Sequence, residues 1–167
     1  SSAEKVALGG YIIKEFGAGS NNKTRPDLVL VSSGTEVSLA QDTAKALHET
    51  SGGLWVRVVS MPCTNLFDQQ PIEYQLSVFP EGSPVMSIEP SSTLGWRRYA
   101  HATFGLDRFG VSAPAGEIYK LFGFTVANLV AKAQEVVAFY PSQDGVHATS
   151  AHSLINRPIF PIISTHH

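Results

Sequence analysis

The sequence predicts an α/β fold with a mainly parallel sheet. Three observations carry that reading. Short β-branched runs alternate with segments of helical spacing, which is the pattern of strand–helix–strand units. The run Leu28-Val29-Leu30-Val31 is continuously apolar, as a strand buried on both faces requires. The chain has 167 residues, 43% of them hydrophobic, so one ordinary core in one domain of roughly 150 residues is affordable.

The elements follow in order. Tyr11-Ile12-Ile13-Lys14-Glu15-Phe16 is short and β-branched, and a loop rich in Gly, Asn and Ser follows it, so it reads as a strand and a turn. Leu28 to Ser33 is the buried strand. Ser33 with Glu36 three residues on matches a capping box, which predicts a helix start. Val37, Ala40, Ala44 and Leu47 give that helix its apolar spacing, and Ser51-Gly52-Gly53 ends it. Leu54 to Met61 is the next strand, stopped by Pro62, and Val85 to Glu89 another, stopped by Pro90. Between them, Asn65 to Phe79 predicts one or two short helices, with Pro71 near a start.

Further on, Ser91-Ser92-Thr93 predicts a cap for a helix through Leu94 to Ala100. The segment from Gly105 to Pro114 is punctuated by glycine and leads to a helix near Ala115 to Leu121. A last helix spans about Val126 to Phe139, capped by Thr125, with Leu129, Val130, Ala133 and Val136 in its apolar stripe. The expected division is therefore an α/β domain over residues 1–140 and an extended tail over 141–167. The tail holds Pro158 and Pro161 and an aperiodic apolar run, and is expected to pack along a surface or stay partly mobile. The start at Ser1-Ser2-Ala3, without a Met, reads as the middle of a longer protein.

Charge narrows the function classes. Twelve Lys and Arg against 14 Asp and Glu leave a net charge of −2, without the basic excess of a nucleic-acid binder. Charged residues make up only 16%, below the usual ~25%, which suggests a surface that something else covers. The single cysteine, Cys63, excludes an intramolecular disulfide and a multi-cysteine zinc site. No run reaches the ~20 apolar residues of a membrane helix, and no signal pattern opens the chain. A soluble intracellular protein is expected.

Few residues point to chemistry. Ser33, Gly34 and Thr35 lie where a parallel strand meets a helix N-terminus, a candidate small-anion or nucleotide site, although the turn is neither a Walker loop nor G-x-G-x-x-G. The bland alternative is an ordinary capped helix. Ser33 lacks the G-x-S-x-G frame of a nucleophile elbow. Cys63, with His48 and His101 as conceivable bases, lacks a cysteine-protease frame and reads as structural. The six histidines show no H-E-x-x-H spacing, so no metal ligand is assigned. Trp96, Arg97 and Tyr99 mix aromatics with Arg, and with Asp107, Arg108 and Phe109 they form a candidate interface with a protein partner.

Several segments, in this order, resemble one family: Gly9-Gly10-Tyr11; Pro26-Asp27-Leu28 through Val37; Val56-Arg57-Val58-Val59-Ser60-Met61-Pro62; and Leu66-Phe67-Asp68-Gln69-Gln70. Tyr74, Gly95-Trp96, Tyr99, Asp107-Arg108-Phe109-Gly110 and Phe122-Gly123-Phe124-Thr125 continue the series. From about Gly9 to Tyr140 the chain resembles the C-terminal domain of transketolase. The resemblance implies a three-layer domain with a mostly parallel sheet of about five strands, helices on both faces and one antiparallel strand, for which Tyr11–Phe16 is the candidate. It implies a parent enzyme, a homodimer dependent on thiamine diphosphate and Mg or Ca, that moves a two-carbon ketol unit between sugar phosphates. In that family the cofactor sits between the other two domains, with a Gly-Asp-Gly metal motif; here Asp144-Gly145 is preceded by Gln143. No catalytic, cofactor-binding or metal residue is therefore carried onto this chain. The expectation is a structural and dimer-stabilising domain, inactive alone, whose partners are the remaining domains and a second subunit in the cytoplasm. The related dihydroxyacetone synthase, a peroxisomal formaldehyde transketolase, is the alternative parent, though Ser164-Thr165-His166-His167 is not a peroxisomal tripeptide.

Overall fold

The computed structural model describes residues 2–19, 22–90, 93–105, 115–140 and 163–164. A short helix α1 (Ser2–Val6) precedes β1 (Tyr11–Phe16), β2 (Leu28–Ser32), α2 (Glu36–Thr50) and β3 (Val56–Ser60). Then come α3 (Thr64–Asp68), α4 (Ile72–Val78), β4 (Val85–Glu89), a 3-10 helix (Thr93–Arg98) and β5 (Ala102–Gly105). Helices α5 (Ala115–Leu121) and α6 (Val126–Phe139) and a two-residue strand β6 (Ile163–Ser164) complete the described residues.

The sheet has the order β1-β3-β2-β4-β5-β6. β1 runs antiparallel to β3, with Tyr11 opposite Ser60 and Phe16 opposite Val56, and the other pairs are parallel. The expected odd strand is thus the observed one. Residue parity sorts the side chains into two layers. Leu28, Leu30, Val56, Val58, Met86 and Ile88 face α2 and α6, meeting Ala40, Ala44, Leu47, Leu129, Ala133 and Val136. Val29, Val31, Val59 and Val85 face the other way, against Phe67, Val78, Phe79, Trp96 and Tyr99. Every residue of β2 and β3 is buried; β2 reads as a continuous apolar run up to Ser32, and β3 as an apolar run broken by Arg57.

Local chemistry explains the joints. The Thr125 side chain accepts from the Asn128 backbone N–H at 3.3 Å and caps α6 as expected. Gly9 has φ +80, and a Cβ there would lie 2.3 Å from the Phe67 nitrogen and 2.4 Å from the Cys63 carbonyl oxygen. Only glycine lets the entry to β1 pass so close to α3. The stretch Tyr119–Phe139 has the length and mean hydropathy (1.2) of a membrane span. The chain nevertheless turns at Gly123 (φ +78) between α5 and α6, and the α6 stripe packs on the sheet.

Three expectations are corrected. Ser33 and Glu36 do not form a capping box: Thr35 is the N-cap residue of α2 and makes no side-chain cap bond. Longer-range partners hold both side chains instead, as described below. The segment Leu94–Ala100 is a tight 3-10 turn over Thr93–Arg98 rather than an α-helix. β5, at only four residues, falls within a stretch that the periodicity left without a strand.

Candidate functional site

The strand order reverses around β2: β3 lies on one side and β4 on the other. The crevice beyond the carboxyl ends of β2 and β4 is the usual ligand position in such sheets. Here it is formed by the turn Ser33-Gly34-Thr35, the end of β4 and the start of α2. Gly34 has φ +56, which turns the chain into the helix.

The side-chain hydroxyls of this turn are already partnered within the chain. Ser33 Oγ donates to Glu89 Oε2 at 2.6 Å. Thr35 Oγ1 donates to Glu36 Oε1 at 2.8 Å, and the Tyr119 hydroxyl from α5 donates to the same oxygen. Glu36 is 7% exposed and stands in the first turn of α2, so the helix N-terminus receives its negative charge from the protein itself. Burial and the bond to Glu36 raise the pKa of the Tyr119 hydroxyl, which keeps it a donor. Against this network lies a cleft of about 320 Å³ lined by Thr35, Glu36, Ser38, Leu39, Asp42, Tyr119 and Phe124. With Glu36 and Asp42 in its wall and Glu89 at the turn, electrostatics there oppose the anion expected at Ser33, Gly34 and Thr35. Glu89 and Tyr119 lie 56 and 83 positions from their partners, and no local spacing could have pointed to them.

The candidate interface divides. Trp96 and Tyr99 are 8% and 7% exposed and pack edge-on at 6.3 Å within the second core layer. Tyr99 donates to Asp68 Oδ1 at 2.7 Å, and Arg98 pairs with the other oxygen of that carboxylate at 3.2 Å. Burial first, then Asp68, pushes the Tyr99 hydroxyl up to about 12. Arg97 is exposed, so from this turn arginine rather than the aromatics faces outward. Asp107, Arg108 and Phe109 lie outside the described residues. The same layer exposes two apolar side chains that sequence reasoning missed, Leu66 on α3 and Ile72 on α4, at 40% and 51%.

The remaining candidates have structural partners. Cys63 is half-buried at the start of α3; its backbone N–H bonds to Gly9 O and its carbonyl accepts from Phe67 N. His48 Nδ1 lies 2.8 Å from the Leu54 carbonyl oxygen, and His101 Nδ1 accepts from the Val85 backbone N–H at 2.9 Å. Among the described residues no three His, Cys, Asp or Glu side chains converge as a metal donor set.

The sequence pattern described as "Transketolase-like TK C-terminal domain" matches residues 9–125. Transketolase 1 of Saccharomyces cerevisiae is 44% identical over 140 residues, which is 84% of this chain and 19% of that protein. A probable transketolase of Schizosaccharomyces pombe is 46% identical over the same length. Among solved structures, transketolase from Leishmania mexicana superposes with a TM-score of 0.75 at 46% identity, covering 87% of this chain and 20% of that one. A Pichia stipitis transketolase in complex with sedoheptulose-7-phosphate gives 0.73 at 44% identity, covering 84% of this chain and 19% of that one. The chain thus spans about a fifth of the length of the relatives it matches. With this sheet order and these matches, the chain belongs to the transketolase C-terminal domain family.

Proposed function

We propose that this chain is the structural C-terminal domain of a transketolase-type enzyme and carries none of the reacting groups itself. In this reading the parent moves a two-carbon ketol unit between sugar phosphates with thiamine diphosphate and a divalent cation. The domain supports the fold and the association of two subunits. The observation that carries the reading is the family match over residues 9–125 in a chain that covers a fifth of its relatives. The α/β domain occupies residues 1–140 and the tail 141–167.

The donor chemistry supports the same division of labour. A diphosphate–metal site needs converging oxygen ligands and cationic or backbone donors. The described residues offer no such metal set, and the helix start at the switch point carries the buried carboxylate of Glu36, which disfavours a diphosphate there. These residues do not fit the cofactor. The outward side of the second layer, with Leu66, Ile72 and Arg97, is the face proposed to meet the rest of the enzyme.

Titration calorimetry of the purified chain with thiamine diphosphate and Mg²⁺ tests the reading. No saturable heat is expected. Stoichiometric binding in the micromolar range would overturn it.

A further inference from the structure

The two sides of the sheet are protected in different ways. β1, at one edge, carries Lys14 and Glu15 and a register shift between Ile12 and Lys14 that leaves Ile13 39% exposed. Charge and a bulge are standard protection against pairing with another chain. β5, at the other side of the four core strands, has neither. Its sequence is Ala-Thr-Phe-Gly, all four residues are buried, and it contains no charge or proline. What lies along it is β6: Phe104 pairs with Ile163 and Gly105 with Ser164, in parallel. β6 lies outside the residues 9–125 that match the family.

We propose that the outer side of β5 is a strand-accepting surface, and that its occupant is this chain's own C-terminal segment centred on Ile163–Ser164. The segment takes the place of edge protection. Addition of an extended segment to a sheet edge draws its affinity from main-chain hydrogen bonds. A two-residue ladder is weak as a separate peptide. The residues 140–162 that join it to α6 make the pairing intramolecular, at an effective concentration on the order of millimolar.

The test uses the 167-residue chain and its variant Ile163→Pro with Ser164→Pro. Successive N–H groups along a strand point to opposite sides, so one of these two donates to β5, and the double change removes it whichever it is. Hydrogen exchange is read over residues 102–105, with β2 and β3 as the internal check of folding. In the variant the β5 amides that face β6 are expected to exchange about tenfold faster or more, while those that face β4, and β2 and β3, stay protected. At an effective concentration of about 1 mM, tenfold protection corresponds to a Kd of about 0.1 mM, so a labelled peptide of residues 155–167 is expected to bind the variant with Kd about 0.1 mM and the unmodified chain about tenfold more weakly. Unchanged exchange at β5, or equal uptake of the peptide by both chains, overturns the proposal. A measurement on the unmodified chain stands independently of the variant: the β5 amides that face β6 and whichever amide of residues 163 and 164 faces β5 must be protected together, and free exchange at both 163 and 164 overturns the proposal.

Discussion

Replacing Arg57 with Met tests how the antiparallel strand is held. Arg57 lies in β3, is 8% exposed and shares its face with Val59 and α4. Its Nε donates to Glu15 Oε1 on β1 at 2.8 Å, and one terminal nitrogen donates to the carbonyls of Ser77 and Val78 at 2.7 and 3.0 Å. Glu15 is its register partner across the sheet. The guanidinium thus ties β1 to the last turn of α4. Met keeps much of the aliphatic stem and removes all three bonds. Breaking one side of a fully buried ion pair costs about 3–5 kcal/mol. The Glu15 side chain is 28% exposed and also accepts from Trp55 Nε1 at 3.3 Å, so water and the indole recover part of that. The expected loss is about 2–3 kcal/mol. At ~2–4 °C per kcal/mol for a domain of this size, Tm falls by roughly 5–10 °C. Urea and thermal unfolding measure it. Adding Glu15→Met removes the stranded carboxylate and is expected to recover part of the loss, leaving the double variant less destabilised than the two single changes added together. A single variant within about 0.5 kcal/mol of the parent would refute the reasoning, as would a double variant worse than the sum.

Two further predictions concern the second layer. The Tyr99 hydroxyl is pushed up to about 12 by burial and Asp68, so the unfolded chain ionises first as pH rises. Its contribution is therefore complete below the ordinary tyrosine pKa near 10 and lost between about 10 and about 12. Unfolding midpoints taken against alkaline pH are expected to fall less steeply for Tyr99→Phe than for the parent, and equal slopes would contradict this. Thr103 Oγ1 and its register neighbour Ser87 Oγ are buried and have no hydrogen-bond partner among the described residues. Thr103→Val keeps the shape and removes the orphan hydroxyl, so it is expected to stabilise the domain by about 1 kcal/mol, read as a rise in Tm.

Much of the architecture was legible because burial on both faces leaves an unbroken apolar run. Leu28–Val31 shows this, Val56–Val59 shows it with Arg57 as the interruption, and the Thr125 cap and the α6 stripe follow equally local rules. What was not legible depends on partners distant in the chain. Ser33 and Glu36 carry the spacing of a capping box, but Glu89 and Tyr119 compete for them, and charge-assisted bonds prevail over a neutral cap. Trp96 and Tyr99 have the composition of an interface, yet Phe67 and Asp68, about 30 positions away, draw them into the core. β5 escaped because four residues, one of them glycine, are too few to show a period. The candidate site was legible as a place, the turn after β2, and its charge was not. Family membership was legible because it rests on many ordered segments and on no single site.

The central claim is that this domain supports an enzyme whose reacting groups lie elsewhere. A ketol-transfer assay on the purified chain tests it most directly, with thiamine diphosphate, Mg²⁺, a ketose phosphate donor and an aldose phosphate acceptor. The account predicts no product above the protein-free blank at any chain concentration. Product formed in proportion to the chain, and abolished by omitting thiamine diphosphate, would contradict it.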